Sequence, residues 1–138
     1  MDSCIFCKIA SGEIPSLQVY GDDMVMAIAD IEPVAIGHTL IIPKQHYADI
    51  FDISEPTMER ITIIAQKLAK AYKTHLGIQG VNLLNASGKA AQQTIFHFHL
   101  HLIPRYNGDG IDLNFKGKPD LKEESEAALK KIKLIQID

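Results

Sequence analysis

Short apolar segments separated by turn-forming residues make up the first third of the chain. Three of them are LQVY (17–20), MVMAIADI (24–31) and HTLIIP (38–43). The separators GDD and EPVAIG are turn-like, and the alternation is typical of an antiparallel meander. Before this meander, residues 4–10 predict a short helix that Gly12 ends.

One long stretch of the chain has helical periodicity instead. Ser54 is the predicted N-cap, Pro56 lies in the first turn, and Gly77 is the predicted C-terminal stop. The apolar residues between them recur at three- and four-residue spacing, so one face of this helix should pack on the sheet. That face consists of Met58, Ile61, Ile64, Ala65, Leu68, Tyr72 and Leu76.

The second half of the chain adds two strands and a terminal helix. VNLLN (81–85) and TIFHFHLHLIP (94–104) predict strands joined by the loop ASGKAAQQ, and pairing should stop near Pro104 because proline has no N–H to donate. After a turn-rich segment, residues 120–135 predict an amphipathic helix with Leu121, Ala128, Leu129, Ile132 and Ile135 on its apolar face. These elements predict an α+β fold: an antiparallel sheet of about five strands, one long helix, and short N- and C-terminal helices.

Composition narrows the class of protein. The 138 residues suit a single domain over 1–138, and 46% apolar with 22% charged residues is typical of a globular protein. A net charge of −3 argues against a nucleic-acid surface. No apolar run approaches the roughly 20 residues of a membrane span, and the N-terminus lacks the basic start of a signal peptide. The sequence therefore predicts a cytoplasmic protein without a membrane partner.

The only two cysteines, Cys4 and Cys7, have the Cys-x-x-Cys spacing. In a reducing compartment they are thiols or metal ligands rather than a structural disulfide. Two thiolates at this spacing can hold one zinc ion. The alternatives are a redox pair, for which the N-terminus lacks the expected βαβ context, and simple free thiols.

Three of the six histidines alternate in FHFHLHLIPR. Because side chains alternate across a strand, His97, His99 and His101 share one face, and Phe96, Phe98, Leu100 and Leu102 share the other, predicted to face the core. With a usual pKa of about 6.5, imidazole can be a nucleophile or a proton donor near neutral pH. The row favours phosphoryl or nucleotidyl transfer, with metal binding and a purely structural role as the alternatives.

At these residues the chain resembles a known family. HFHLHLI matches the alternating-histidine signature of the histidine triad family of nucleotide hydrolases and transferases. CIFCKIASGEIPS, MAIADIEPVAIGHTLIIPKQH and VNLLNASGKAAQQTIFHFHLHLIPRY resemble further blocks of that family in the same order, over roughly residues 4–106. The cysteine pair is similar to that of the short bacterial-type branch with a Cys-x-x-Cys zinc site.

The resemblance implies roles for individual residues. His99 matches the nucleophile, His101 the histidine beside the phosphate oxygens, and His38 an upstream histidine that supports the row or the leaving group. Asp30 matches the acid that binds the ribose, and Asn85, Gln93 and Thr94 belong to the phosphate loop. The apolar slot for the base would be formed by Ile5, Phe6, Ile9, Ile28, Ile31 and Leu40, which implies weak base preference.

The resemblance also implies a structural zinc ion. Its ligands would be Cys4, Cys7, His46 and His97, a closed Cys2His2 set. No organic cofactor is expected. The chain departs from the family at Gln92, where a glycine is usual; a backbone with positive φ would strain glutamine there.

These observations support an enzyme that cleaves at the α-phosphate of a purine nucleoside phosphoramidate or related conjugate through a nucleotidyl-histidine. A dinucleoside polyphosphate hydrolase is the alternative within enzymes. A nucleotide-binding regulatory protein with incidental catalysis is the alternative outside them. Family resemblance also predicts a homodimer, with the long helix and a sheet edge or a neighbouring strand at its interface.

Overall fold

The fold was obtained as a computed structural model, which describes residues 3–132. Its strands are β1 (Gln18–Gly21), β2 (Val25–Ala29), β3 (Thr39–Pro43), β4 (Gly80–Leu84) and β5 (Leu100–Arg105). They form one sheet in the order β1-β2-β3-β5-β4, and all neighbours are antiparallel. The predicted α+β class with an antiparallel five-stranded sheet is confirmed.

The helices are α1 (Ile5–Ala10), α2 (Glu55–Leu76) and α3 (Lys122–Ile132). The Ser54 hydroxyl accepts the Thr57 N–H at 3.4 Å and caps α2 as predicted. Gly77 ends α2 in the left-handed conformation, with φ of 68°, where glycine has no steric penalty.

Each face of the sheet is covered by one helix. On one face α2 buries the larger core: Val25, Ala27, Ile41, Ile61, Ile64, Ala65, Phe98, Leu100 and Leu102. On the other face α1 covers a smaller cluster of Phe6, Met26, Ile28, Leu40 and Ile42. Because α1 has only six residues, it leaves part of that second face uncovered.

The strand predicted over 94–104 is shorter in the structure. Ladder pairing begins at Leu100, opposite Ile41 of β3. Before it, the Phe98 N–H donates a hydrogen bond to the Tyr47 carbonyl at 2.6 Å, and the Pro43 carbonyl accepts a hydrogen bond from His97 Nε2 at 2.8 Å. Pro43 also has no N–H of its own, so β3 cannot extend the ladder toward residue 97.

Three further details differ from or refine the predictions. Phe96 is 48% exposed, so the expectation that it faces the core with Phe98 was wrong. The strand predicted over 24–31 ends at Ala29, because the Asp30 N–H closes a loop by donating to the His38 carbonyl at 3.1 Å. Pro104 lies inside β5, and the strand ends one residue later, close to the predicted limit.

The C-terminal segment lies outside the packed body. Every residue from 112 to 132 is exposed, including the predicted apolar positions Leu121, Ala128, Leu129 and Ile132 of the terminal helix. Residues 133–135 of that predicted helix are outside the described residues. Between residues 3 and 132 no helix is long and apolar enough to cross a membrane; the cytoplasmic location stays a prediction.

Candidate functional site

A cavity of about 380 Å³ opens on the face of the sheet that α1 only partly covers. Most residues predicted to bind a nucleotide line it: Ile5, Phe6, Ile9, Ile28, Asp30, Ile31, Leu40, Thr94, His99 and His101. Ala29, Glu32 and Ile95 complete the lining. Its walls are therefore mainly apolar, with two carboxylates and two imidazoles among them, as expected for a site that holds a flat ring by contact and orients it by a few polar groups.

His99 is held in one orientation. Its Nδ1 lies 2.8 Å from the His97 carbonyl oxygen, and Phe6 packs edge-on against the ring with centroids 5.2 Å apart. Because a carbonyl oxygen can only accept, the neutral His99 ring carries its proton on Nδ1. The lone pair is then on Nε2, the nitrogen through which the ring can attack.

His101 has the opposite tautomer. The Val34 backbone N–H donates to His38 Nδ1 at 3.1 Å, so neutral His38 carries its proton on Nε2. His38 Nε2 lies 2.9 Å from His101 Nδ1 and donates to it. The proton of neutral His101 is consequently on Nε2, where it can be donated to a ligand.

The charge state of these rings follows from their surroundings. Burial, with smaller contributions from His99 and His38, lowers the pKa of His101 to about 4, although Asp30 opposes the shift. Burial also lowers the pKa of His38 below its usual value, and Asp30 again acts in the other direction. Both rings are therefore neutral at pH 7.

Asp30 stands at the junction of the cavity and this histidine pair. One carboxylate oxygen, Oδ2, lies 3.5 Å from His38 Nε2, and Oδ1 accepts the Glu32 N–H at 2.8 Å. The carboxylate is thus fixed at the cavity wall, where it can accept hydroxyl protons from a sugar.

The loop before the histidine row is held by its own side chains. Asn85 donates to the His99 carbonyl at 3.0 Å, and buried Gln93 donates to Ala48 and Ile95 carbonyls at 2.7 and 3.0 Å. The structure does not bring either amide to the cavity lining, whereas Thr94 does reach it.

Gln92 adopts the left-handed conformation in this loop. With φ of 69° it is the only non-glycine residue at positive φ within residues 3–132. A side chain in this conformation costs about 1 kcal/mol relative to glycine. The backbone thus keeps the shape for which glycine is suited, and glutamine accepts the strain.

A second cluster lies at the start of α1. Cys4 and Cys7 Sγ lie 3.3 and 3.5 Å from His97 Nδ1, and Cys7 Sγ lies 3.3 Å from His46 Nδ1. Cys4 also caps the helix by accepting the Cys7 N–H at 3.4 Å. One ligand atom from each of the four residues lies within 4.8 Å of all the others.

The geometry of this cluster suits zinc. Tetrahedral Zn–S and Zn–N bonds place sulfur and nitrogen about 3.6 Å apart, close to the separations observed here. The single ring proton of neutral His97 is on Nε2, which donates to the Pro43 carbonyl, so a lone pair on Nδ1 faces the thiols. Burial, then the Cys4 thiol, raises the pKa of Cys7, and a divalent cation would reverse this by favouring the thiolate.

Asp30, His38 and His101 also have ligand atoms within 4.8 Å of one another. Their hydrogen bonds argue against a metal there. The Val34 N–H occupies His38 Nδ1, so the nitrogen facing His101 carries the proton and has no lone pair for an ion. Each cluster contains two histidines, but the backbone groups that bond to those rings differ.

Sequence reasoning missed two backbone groups of this site, the Val34 N–H and the Pro43 carbonyl. Neither has a side-chain signature, so only the tertiary contacts identify them. It also missed Glu32 and Ile95 on the cavity wall. Glu32 lies two residues from Asp30 in the sequence, which was the one available signal.

Comparison with known proteins gives three related findings. A family model described as HIT domain matches residues 11–108. A crystal structure of a HIT family member from Bacillus subtilis has 36% identity and a TM-score of 0.87, covering 99% of each chain. A zinc-bound histidine triad family protein from Mycobacterium smegmatis has 40% identity and a TM-score of 0.77, covering 96% of each chain.

A plant protein is also similar. The adenylylsulfatase HINT3 of Arabidopsis thaliana is 40% identical over 112 residues, covering 78% of this chain and 55% of the plant protein.

Proposed function

Because this chain belongs to the histidine triad (HIT) family, we propose that it is a nucleotide hydrolase that cleaves at the α-phosphate of a purine nucleoside phosphoramidate or related conjugate. The observation that carries the proposal is the tautomer of His99, whose Nδ1 proton is held by the His97 carbonyl at 2.8 Å. A bare Nε2 on a buried ring at the cavity wall is the arrangement a nucleophilic histidine needs.

The nucleoside would occupy the apolar part of the cavity with its ribose hydroxyls on Asp30. His99 Nε2 attacks the α-phosphorus, and the bond to the leaving group breaks with its electron pair, so that the leaving group takes up a proton from water. The His101 Nε2–H donates to a phosphate oxygen and stabilises charge in the transition state. Water then attacks the phosphorus and gives its proton to the hydroxide left in solvent, while the bond between phosphorus and His99 Nε2 breaks. The nucleoside monophosphate is released and the lone pair returns to Nε2.

The character of the leaving group is the finer part of the proposal. The plant relative is named for hydrolysis of an adenylyl sulfate, which supports adenylyl transfer to water as the shared step. A dinucleoside polyphosphate would use the same nucleotidyl-His99 intermediate. Gln92 stands where the family usually has glycine, in the loop before the histidine row, and its backbone is strained. This difference from the family bears on which leaving group is preferred.

The test compares adenosine phosphoramidate with diadenosine tetraphosphate in wild type, His99→Ala and His75→Ala. His75 is an exposed histidine near the end of α2 and serves as the matched control. We expect the phosphoramidate to be preferred, His99→Ala to lose at least about a thousandfold in kcat, and His75→Ala to match wild type. Tight nucleotide binding without turnover of either compound would favour the regulatory alternative, and full activity in His99→Ala would refute the mechanism.

The proposal includes a structural zinc ion held by Cys4, Cys7, His46 and His97. Four protein ligands leave no open position, so the ion would stabilise the fold and take no part in the reaction. The matching donor set, the separations of 3.3–3.5 Å and the zinc-bound relative support it.

The proposal also includes a homodimer formed through β4 and α2. The two edges of the sheet differ: β1 has an irregular register between Gln18 and Tyr20, which blunts an edge, whereas β4 is regular and free of charge and proline. Val81, Leu83 and Leu84 on β4 are each at least 37% exposed. Calibrated light scattering should give a dimer for wild type and a monomer for Leu83→Lys; a wild-type monomer would refute this part.

A further inference from the structure

His99 and His101 lie side by side with ring centroids 5.1 Å apart, yet they present opposite groups to the cavity. The proton of His99 is fixed by the His97 carbonyl, two residues back in the chain. The proton of His101 is fixed from outside the strand, by a chain that runs from the Val34 N–H through His38. The state of the second histidine therefore depends on the loop between β2 and β3.

The loop between β2 and β3 directs the backbone N–H of Val34 toward His38. The Asp30 N–H donates to the His38 carbonyl and the His38 N–H donates to the Ala35 carbonyl, both at 3.1 Å, so the loop is closed at its base. The Tyr106 hydroxyl donates to the Ile36 carbonyl at 3.0 Å. The Val34 side chain is 54% exposed, so the contact of this residue with the site is made by its backbone.

We propose that the backbone N–H of Val34 is a positioning group that holds His38 and His101 each with a single proton on Nε2. His101 then meets the α-phosphate as a neutral donor beside the bare Nε2 of His99. This role rests on the proposed function, because only an anion over the row uses that donor.

The positioning group is needed because of Asp30. A carboxylate oxygen 3.5 Å from His38 Nε2 favours a protonated imidazole. A second proton on His38 would have to sit on Nδ1, where it would face the Val34 N–H, donor against donor. The other titratable groups near this ring are His101, which accepts the hydrogen bond from its Nε2, and two residues of α2, Tyr72 and exposed His75, which line a groove together with His38.

The opposite tautomer would harm the site. With its proton on Nδ1, His38 would accept from His101, and His101 would turn a bare Nε2 toward the cavity. Phosphate oxygens would then meet two lone pairs and lose a donor, which weakens the stabilisation of the transition state.

Nitrogen-15 NMR of the imidazole rings in the protein as isolated tests this directly, because protonated and bare ring nitrogens have distinct shifts. At pH 7 we expect bare Nδ1 and protonated Nε2 on His38 and His101, and the reverse on His99. A proton on Nδ1 of His38 in wild type would overturn the inference. Since no substrate is present, this outcome is independent of the proposed function.

Val34→Pro removes the N–H, and Val34→Ala keeps it. In Val34→Pro the His38 Nδ1 shift should move toward the protonated value, and kcat on adenosine phosphoramidate should fall roughly tenfold relative to Val34→Ala, with KM within about twofold. Unchanged nitrogen shifts in a folded Val34→Pro would also refute the role. If Val34→Pro does not fold, the wild-type shifts decide. Tautomers as expected in a protein that turns over neither substrate would mean that the proposed function, not the positioning, has failed.

Discussion

Two clusters of potential metal ligands lie close to one strand, but their hydrogen bonds suit them to different chemistry. In the cysteine cluster, the Pro43 carbonyl accepts the Nε2 proton of His97 and leaves a lone pair toward the thiols. In the cavity cluster, the Val34 N–H occupies His38 Nδ1 and leaves a proton toward His101. When a backbone carbonyl accepts from one ring nitrogen, the other nitrogen has a lone pair for a metal. When a backbone N–H donates to one ring nitrogen, the other carries the proton and can only donate. Residue types alone therefore do not define a metal site.

The largest expected effect is the loss of zinc when the cysteine cluster, but not the cavity cluster, is mutated. Cys4→Ser with Cys7→Ser should remove bound zinc and lower the free energy of unfolding by several kcal/mol, because ligand binding contributes to folding. Metal analysis and thermal unfolding measure both, and we expect Tm to fall by at least about 10 °C. His38→Gln is the matched control in the other cluster and should keep its zinc. Loss of zinc in His38→Gln would break the distinction.

The next effect concerns the donor in the cavity. His101→Ala should lower kcat by roughly a hundredfold to a thousandfold, as loss of a preorganised donor to a reacting anion does elsewhere. Zinc content should stay at the wild-type level. Steady-state kinetics beside metal analysis checks this, and a variant with near-wild-type kcat would show that His101 does not contact the reacting phosphate.

A smaller effect appears as pH dependence of stability. The folded pKa of His101 is about 4 against about 6.5 for an unperturbed ring, so the unfolded chain binds the proton first as pH falls. The contribution of His101 is therefore complete above pH 6.5 and is lost between about 6.5 and 4. Screening of a partly exposed group reduces it to about 2 kcal/mol. In denaturant unfolding, wild type should lose about this much stability relative to His101→Asn as the pH falls over that range; a constant difference would contradict the low pKa.

The smallest effect concerns the backbone at Gln92, in the loop before the histidine row. Gln92→Gly should relieve about 1 kcal/mol of left-handed strain, partly offset by the greater entropy of glycine in the unfolded chain. Thermal unfolding should show a small rise in Tm, whereas Gln92→Ala, which keeps the strain, should show none. An equal rise in both variants would mean that the side chain of Gln92, not its φ, is the source of the cost.

Much of this fold follows from local signals in the sequence. Three predicted features depend only on neighbouring residues, and the structure has all of them: the cap at Ser54, the stop at Gly77 and the succession of short strands separated by turns. The start of β5 at Leu100 could not be predicted, because the ladder is interrupted by the long-range contact of His97 with Pro43. Phe96 looked like a core residue only because its alternation continues past the point where the ladder ends.

The candidate site could likewise be predicted from the sequence only in part. The resemblance supplied most of the residues that line the cavity and all four of the cysteine cluster, and the structure brings each set together. It assigned Asn85 and Gln93 to the phosphate loop, which stays a prediction; in the structure their amides donate to backbone carbonyls. It could not supply the tautomers, since these depend on backbone groups that any residue type carries.

His97 serves the two regions through different atoms. Its ring faces the cysteines, while its main-chain carbonyl accepts the proton of His99. Every amino acid has that carbonyl, so substitution can remove the ring without removing the acceptor. The proposed metal binding and the orientation of the proposed nucleophile can consequently be inherited separately. A descendant sequence could lose its cysteines and this imidazole one mutation at a time, while His99 keeps its proton on Nδ1 and its lone pair on Nε2.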